Sequence, residues 1–299
     1  MHLRREATRR TCRQVEGALS SRVMDRLRAS WLWVGLGFAG LFGCGTPGVR
    51  PADPVVAEPT LPARTTKTTE PVQPASDDGG CPDGMVEVPG GKLRLRASRD
   101  EVTLARFCMD RTEVTMGRYA ACVKAGKCSD QHLDEFSAEG TFYSLDDACN
   151  YGEPGKEDHP MNCVDWNQAA TFCKTYGHRL PSEEEWVWAA RGGPRGTTYS
   201  WGEAEPSTQL CWSGISKRDG TCPVGSFPAD DSPEGIHDLA GNVCEWTASV
   251  FEYEPKERML CGGAWSDNHW LGVRSASHEG EPPASRGSSR GFRCVHDLP

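Results

Sequence analysis

Two carboxylates, Asp238 and Glu245, bracket the turn in Gly235-Ile236-His237-Asp238-Leu239-Ala240-Gly241-Asn242-Val243-Cys244-Glu245-Trp246. Gly241 between them lets the backbone bend enough to aim carbonyl oxygens at one point, which is how an oxygen cage for a hard cation is assembled. Calcium is the guest such a cage suits. The same residues also suit a plain polar turn between two elements, so the rest of the chain has to decide. The turn is followed by a return segment from Cys261 to Cys294.

Cysteine is the other chemically active residue present in quantity. The chain holds 14 cysteines, far above ordinary usage. Setting aside Cys12 and Cys44 near the N-terminus leaves an even set in the remainder, the pattern of a disulfide framework in an oxidising compartment. No Cys-x-x-Cys pair occurs and the histidines are scattered, which gives a structural zinc site little support.

The N-terminus agrees with export. Met24-Asp25-Arg26-Leu27-Arg28 precedes an apolar run from Trp31 to Phe42, too short to span a bilayer and flanked like a signal sequence. The Arg-rich residues before Met24 look like an over-long start, with Met24 the true one. Residues 45–80 are rich in Pro, Thr, Ala and Val and poor in aromatics; they cannot bury enough surface to offset ordering entropy, and they read as a semi-extended tether. The net charge of −9 includes that Arg-rich leader, so the body is more acidic still. An acidic body repels nucleic acid and anionic lipid, and nucleic acid is not an expected partner.

The elements that must hold these residues begin near Cys81. Met85 to Gly91 alternates like a strand and ends in a turn, and Val102 to Met109 alternates again. A helix is expected after Thr115, with Tyr119, Cys122 and Val123 on one face and Gly126 as its stop. The polar segment from Ser129 to Glu157 lacks periodicity and reads as an irregular excursion pinned by Cys149. Asp165 with Gln168, and Ser182 with Glu185, form capping boxes that open two helices; Trp166, Ala169, Ala170 and Cys173 line the first, and Trp186, Ala189 and Ala190 the second. After Gly192 no long periodic element is visible. The expectation is one irregular α+β domain over 81–299, held by packed loops and disulfides, behind a signal region over 1–44 and the tether.

Several ordered blocks carry a family resemblance: Met85-Val86-Glu87-Val88-Pro89-Gly90-Gly91, Asp110 to Thr115, His159 to Trp166, Arg179-Leu180-Pro181-Ser182-Glu183-Glu184-Glu185-Trp186, Gly241-Asn242 with Glu245-Trp246, Gly262-Gly263-Ala264-Trp265, and Gly291-Phe292-Arg293-Cys294. Together they resemble the formylglycine-generating enzyme, or sulfatase-modifying factor, family across nearly all of Cys81 to Pro299. The resemblance implies an irregular variant of the C-type lectin fold with bound calcium. It places one calcium on the side chains of Asp238 and Glu245 and the carbonyls of Gly241 and Val243. The positions matching a second family calcium, near Leu210 and Cys211, lack most of the oxygen side chains, so that ion is not expected. It also implies a disulfide between Cys173 and Cys294. Cys122 with Cys128, Cys149 with Cys163, Cys211 with Cys222 and Cys81 with Cys108 are pairings suggested by proximity in the chain.

The same resemblance implies an oxygen-dependent oxidation of a peptide cysteine to formylglycine on copper held by two thiolates. Copper(I) is soft and selects sulfur. Here the two thiolate positions are Asp267 and Gly272, the family's serine beside the oxygen site is Ala264, and an active-site tryptophan is Cys244. Copper is therefore not expected and no catalytic residue is assigned. His269 and His278 are offered by the sequence as isolated surface residues rather than as ligands of an iron enzyme.

The ending Leu41-Phe42-Gly43-Cys44 resembles a bacterial lipobox, which implies a lipid on Cys44 and a membrane-anchored envelope protein, periplasmic or on the cell surface. Envelope lipoproteins that use this fold to bind or scaffold are the best match, with an envelope protein or a glycan as partner. The alternative is a metal-dependent oxidoreductase with relocated ligands. Cys244 and Cys261 bear on that choice: if their segments lie side by side they could bind copper or form a disulfide that seals the groove, and the disulfide is the expectation in an exported protein.

Overall fold

A computed structural model describes residues 80–95, 100–138 and 141–299. The signal region with Cys44, and all but the last residue of the 45–80 tether, lie outside the described residues.

The two ends of the body meet in one sheet. Strand β1 (Met85–Val88) pairs antiparallel with β4 (Phe107–Asp110), and β4 pairs antiparallel with β11 (Val295–Asp297). The run expected as one strand from Val102 to Met109 is divided: β3 (Val102–Leu104) forms a ribbon with β2 (Gly91–Leu93), and β4 begins after a break at Ala105 and Arg106. Three helices follow the capping signals. Helix α1 (Met116–Lys124) starts where the Thr115 hydroxyl accepts from Arg118 N and buries Tyr119 and Cys122. Helix α2 (Trp166–Thr175) and helix α3 (Glu183–Ala190) each carry a complete capping box, on Asp165 with Gln168 and on Ser182 with Glu185. Gly126 and Gly177 follow α1 and α2 with φ of 70° and 77°, the left-handed stop that glycine adopts without strain.

Two regions are more regular than the sequence suggests. Strands β5 (Glu135–Ala138) and β6 (Thr141–Leu145) form a hairpin inside the polar excursion. In the C-terminal third, β7 (Cys244–Val250), β8 (Arg258–Cys261), β9 (His278–Glu281) and β10 (Arg290–Gly291) make a four-stranded sheet in the order β10-β7-β8-β9, with β10 parallel to β7. The fold is α+β with little regular structure from Gly192 to Val243. Among the described residues no helix is long and apolar enough to cross a membrane.

Apolar side chains gather in two main cores. One holds Tyr119, Phe172 and Phe292, whose rings pack with centroids 5.4 to 6.5 Å apart, together with Cys244, Trp246 and Leu260. The other holds Trp186 and Trp188 of α3 with Ile236, Leu239, Met259 and Cys261.

Five disulfides staple the body: Cys81–Cys108, Cys122–Cys128, Cys149–Cys163, Cys173–Cys294 and Cys211–Cys222. They indicate an extracytoplasmic protein, since such bonds persist only where reductants are scarce. The expected bridge between Cys244 and Cys261 is not among them. The segments do lie side by side, but the antiparallel register sets Cys261 opposite Glu245, one residue away from Cys244. Successive side chains leave a strand on opposite faces, so Cys244 joins the first core and Cys261 the second, and the Cys244 Sγ instead donates to Gly262 O.

Candidate functional site

The Asp238–Glu245 turn is built against the Cys211–Cys222 loop. Asp238 and Asn242 have φ of 55° and 53°, and Gly241 has φ of 80°. A Cβ on Gly241 would lie 2.4 Å from Cys211 O, so only glycine lets the turn approach this closely. Asn242 N donates to Cys211 O (2.8 Å), and its side-chain oxygen accepts from Cys222 N (3.0 Å). The disulfide thus fixes the loop on which the turn rests.

The two carboxylates of the turn have different surroundings. Glu245, fully buried, accepts from Arg293 Nε and Nη2 (both 2.7 Å) and from Trp186 Nε1 (2.9 Å). Arg293, also fully buried, donates further to Asp110 O and His237 O and so ties the turn to β4. Asp238 accepts from Gly225 N through Oδ2 (2.6 Å), and its carboxylate also meets the Glu113 carboxyl, whose hydrogen bond opposes the effect of burial on Asp238.

Around this pair stand two carboxylates that the sequence did not single out. The carboxyl oxygens of Glu113 and Asp230 are buried, Glu113 against the Asp238 carboxylate and Asp230 against the Asp238 backbone. Burial first, and the charge of Asp238 second, push Glu113 well above the usual carboxylate range and Asp230 up to about 9. Burial likewise raises Asp238. With Arg293 as the neighbouring cation, the cluster has more carboxyl oxygens than positive partners. Asp238 and Glu113 share a proton between buried carboxyl oxygens, and a hard cation could take that proton's place. Glu245 can take part only while it also serves Arg293, a condition the spacing of Asp238 and Glu245 does not reveal.

The positions matching the family's copper chemistry also come together. Ala264 N donates to Asp267 Oδ2 (2.8 Å), and Ala264 and Cys244 share the first core. A Cβ on Gly272 would lie 2.8 Å from Asp267 Cγ, and one on Gly263 would lie 2.9 Å from Asp267 Oδ2. The Asp267 side chain therefore fills the space in which a side chain at 272 would meet it. Burial raises the Asp267 carboxyl to about 6, against the opposing hydrogen bond from Ala264 N. Three residues on, the same loop turns outward: Trp270 and Leu271 are exposed, and Trp270 stacks on His269 and lies under Arg274. His278 lies on β9 and makes no metal-ligand cluster with His269 among the described residues. A separate polar cleft of about 220 Å³ lies along α2, lined by Tyr119, Asp165, Gln168 and Arg286, and includes none of the copper positions.

The domain model described as "Sulfatase-modifying factor enzyme 1-like domain" matches residues 71–298. The chain is 39% identical to the Inactive C-alpha-formylglycine-generating enzyme 2 of Bos taurus, over 71% of this chain and 87% of that one. It is 29% identical to the Formylglycine-generating enzyme of Streptomyces coelicolor, over 72% of this chain and 89% of that one. In shape it is similar to the solved structure of PvdO from Pseudomonas aeruginosa, with a TM-score of 0.57 and 24% identity over 77% of this chain and 100% of that one.

Proposed function

As this chain belongs to the sulfatase-modifying factor enzyme 1-like domain family, we propose that it is a member without the oxidase chemistry, a lipid-anchored cell-envelope protein whose domain binds or scaffolds. The observation that carries this reading is the contact between Asp267 and Gly272. A hard carboxylate and a residue without a side chain stand where two thiolates would be needed, and the carboxylate takes up the room between them. The relative named as inactive supports the same reading. Relocated copper ligands find no support at Cys244 and Cys261, because the register directs them to different cores.

The binding surface we assign is the loop from Asp267 to Gly272, where Trp270 and Leu271 are exposed; Ile215 is also exposed, on the 213–217 segment that Ser213 ties to this loop. Ser213 N donates to Asp267 O and its hydroxyl to Trp265 O, which joins the two loops. Apolar groups exposed together on a disulfide-fixed surface suit a protein or glycan partner. The anchor is a lipid on Cys44, read from the lipobox, and the tether over 45–80 lets the body stand off the membrane.

The calcium implied by the resemblance belongs to this reading as a structural ion. Asp238 would hold it with the Gly241 and Val243 carbonyls and Glu245, and it would offset the surplus of buried carboxyl oxygens. On that account chelation lowers the melting temperature, and Asp238→Ala abolishes the response to added calcium.

The test of function combines three measurements on the purified full chain: formylglycine in a cysteine peptide by mass spectrometry, oxygen uptake with a thiol reductant, and copper content. None above background is expected. Turnover with stoichiometric copper would overturn the proposal. Radiolabelled fatty acid should enter the protein in bacteria and be lost in Cys44→Ser; equal labelling of that variant refutes the anchor.

A further inference from the structure

His178 and His296 are 118 residues apart in the chain yet meet in the fold. Arg179 and Val295 form an isolated antiparallel bridge, exchanging Arg179 N to Val295 O (3.0 Å) and Val295 N to Arg179 O (2.8 Å). That bridge places residues 178 and 296 directly across from each other. The Cys173–Cys294 disulfide fastens the same two segments from one side. The result is a pair of imidazoles with Nδ1 atoms 3.3 Å apart and ring planes at 86°.

The two nitrogens stand at hydrogen-bond distance, and the same separation is the one a shared metal ion would set in place of the proton between them. Nitrogens bonded to a tetrahedral ion at about 2.0–2.1 Å stand roughly 3.4 Å from each other. The chain has already met the cost of bringing them together, through a covalent bond and two backbone hydrogen bonds, so binding requires little further ordering. The electrostatics agree. Burial lowers the His178 pKa against the charge of Asp110, with His296 and Arg118 adding to the lowering, which disfavours the protonated ring that would repel a cation. Asp110 contributes negative charge nearby; its carboxylate is held by Arg118 Nη1 and Cys294 N.

We propose that His178 and His296 form an exchangeable site for a borderline divalent transition-metal ion, with these two nitrogens as the protein ligands and water in the open positions. Among the described residues no third His, Cys, Asp or Glu donor joins them. The site is therefore weaker than a four-ligand structural zinc centre, and its occupancy follows the metal supply of the compartment. It is distinct from the calcium turn in both ligand type and location.

The experiment uses chelator-treated full-length protein with its disulfides intact. Zinc chloride is titrated by calorimetry, and cobalt(II) by its visible absorption bands. One equivalent of zinc is expected, with at least a tenfold loss of affinity in His178→Ala and in His296→Gln, while calcium does not compete. Asp238→Ala should retain zinc binding, which separates this site from the calcium proposal. Peptide mapping of the disulfides reports whether each variant is folded, and His296→Gln on the half-buried C-terminal strand serves if His178→Ala is not. Absence of zinc binding in the parent protein, or unchanged affinity in the folded histidine variants, overturns the proposal.

Discussion

Asp267 keeps a carboxyl group where only 5% of the residue reaches solvent. Because burial raises its pKa to about 6, the folded protein holds this proton through a range in which the unfolded chain has released it. Its contribution to stability is full below about pH 4, declines as pH rises toward 6, and is constant above that, a loss on the order of 3 kcal/mol. Asp267→Asn keeps an oxygen for Ala264 N and cannot ionise, so it should melt higher than the parent at pH 7.5 and match it near pH 4. An equal gap at both values would show that the carboxyl is not the cause. The neighbouring contact makes a second prediction. Gly272→Ala alone should cost roughly 1–3 kcal/mol by forcing its Cβ onto the Asp267 carboxyl. Asp267→Ser should recover most of that cost in chemical denaturation, whereas additive losses would mean the two residues do not touch. The sequence showed that these two positions depart from the family, since residue identity is all that comparison needs. It could not show that one side chain occupies the other's space, or that Glu113 and Asp230 join Asp238, because those facts depend on tertiary approach.

Signals that act within a few residues were legible at the level of elements. Asp165 and Ser182 cap α2 and α3 with the third residue on returning the bond, as their spacing requires. What remained hidden was the second task of Asp165. Its Oδ1 accepts from Gln168 N (2.8 Å) while Oδ2 takes Arg286 Nη2 (2.6 Å), and Arg286 Nη1 donates to Gln168 Oε1 (2.6 Å). Asp165→Ala should therefore cost more than a cap alone, about 3 kcal/mol, because a largely buried guanidinium loses its charge partner. Asp165→Asn, which retains the cap, should cost visibly less by thermal denaturation; identical losses would assign the whole effect to the cap. Strands were harder to read than helices. The β5–β6 hairpin lies in a polar segment with no clean alternation, and the β7–β8 register shifts between Trp246 and Val250, an irregularity the residue pattern does not announce. A one-residue difference in that register decides whether Cys244 and Cys261 share a face, so their expected disulfide could not be settled from spacing.

Over the whole molecule, the disulfides divide the labour between two metal proposals. Cys173–Cys294 closes 121 residues and joins α2 to the segment leading into β11, where His296 lies across from His178. Cys211–Cys222 closes only 11 residues and clamps the loop against which Gly241 turns. In the chain-entropy model removing the first costs about 5 kcal/mol and the second about 3 kcal/mol, so both pairs should be tested at a temperature where each variant is folded. Stability alone would rank the two bonds, but ligand binding should separate them by place. Cys173→Ala with Cys294→Ala should weaken zinc binding several-fold, since the two histidines are then aligned by the Arg179–Val295 bridge alone, and leave calcium binding near the parent value. Cys211→Ala with Cys222→Ala should do the reverse, loosening the Asp238–Glu245 turn while the histidine pair keeps its zinc. Calorimetric titration of both ions into both variants reads all four outcomes. Parallel losses of zinc and calcium in either variant would mean that the bond supports the fold as a whole, and that neither site owes its geometry to the staple beside it.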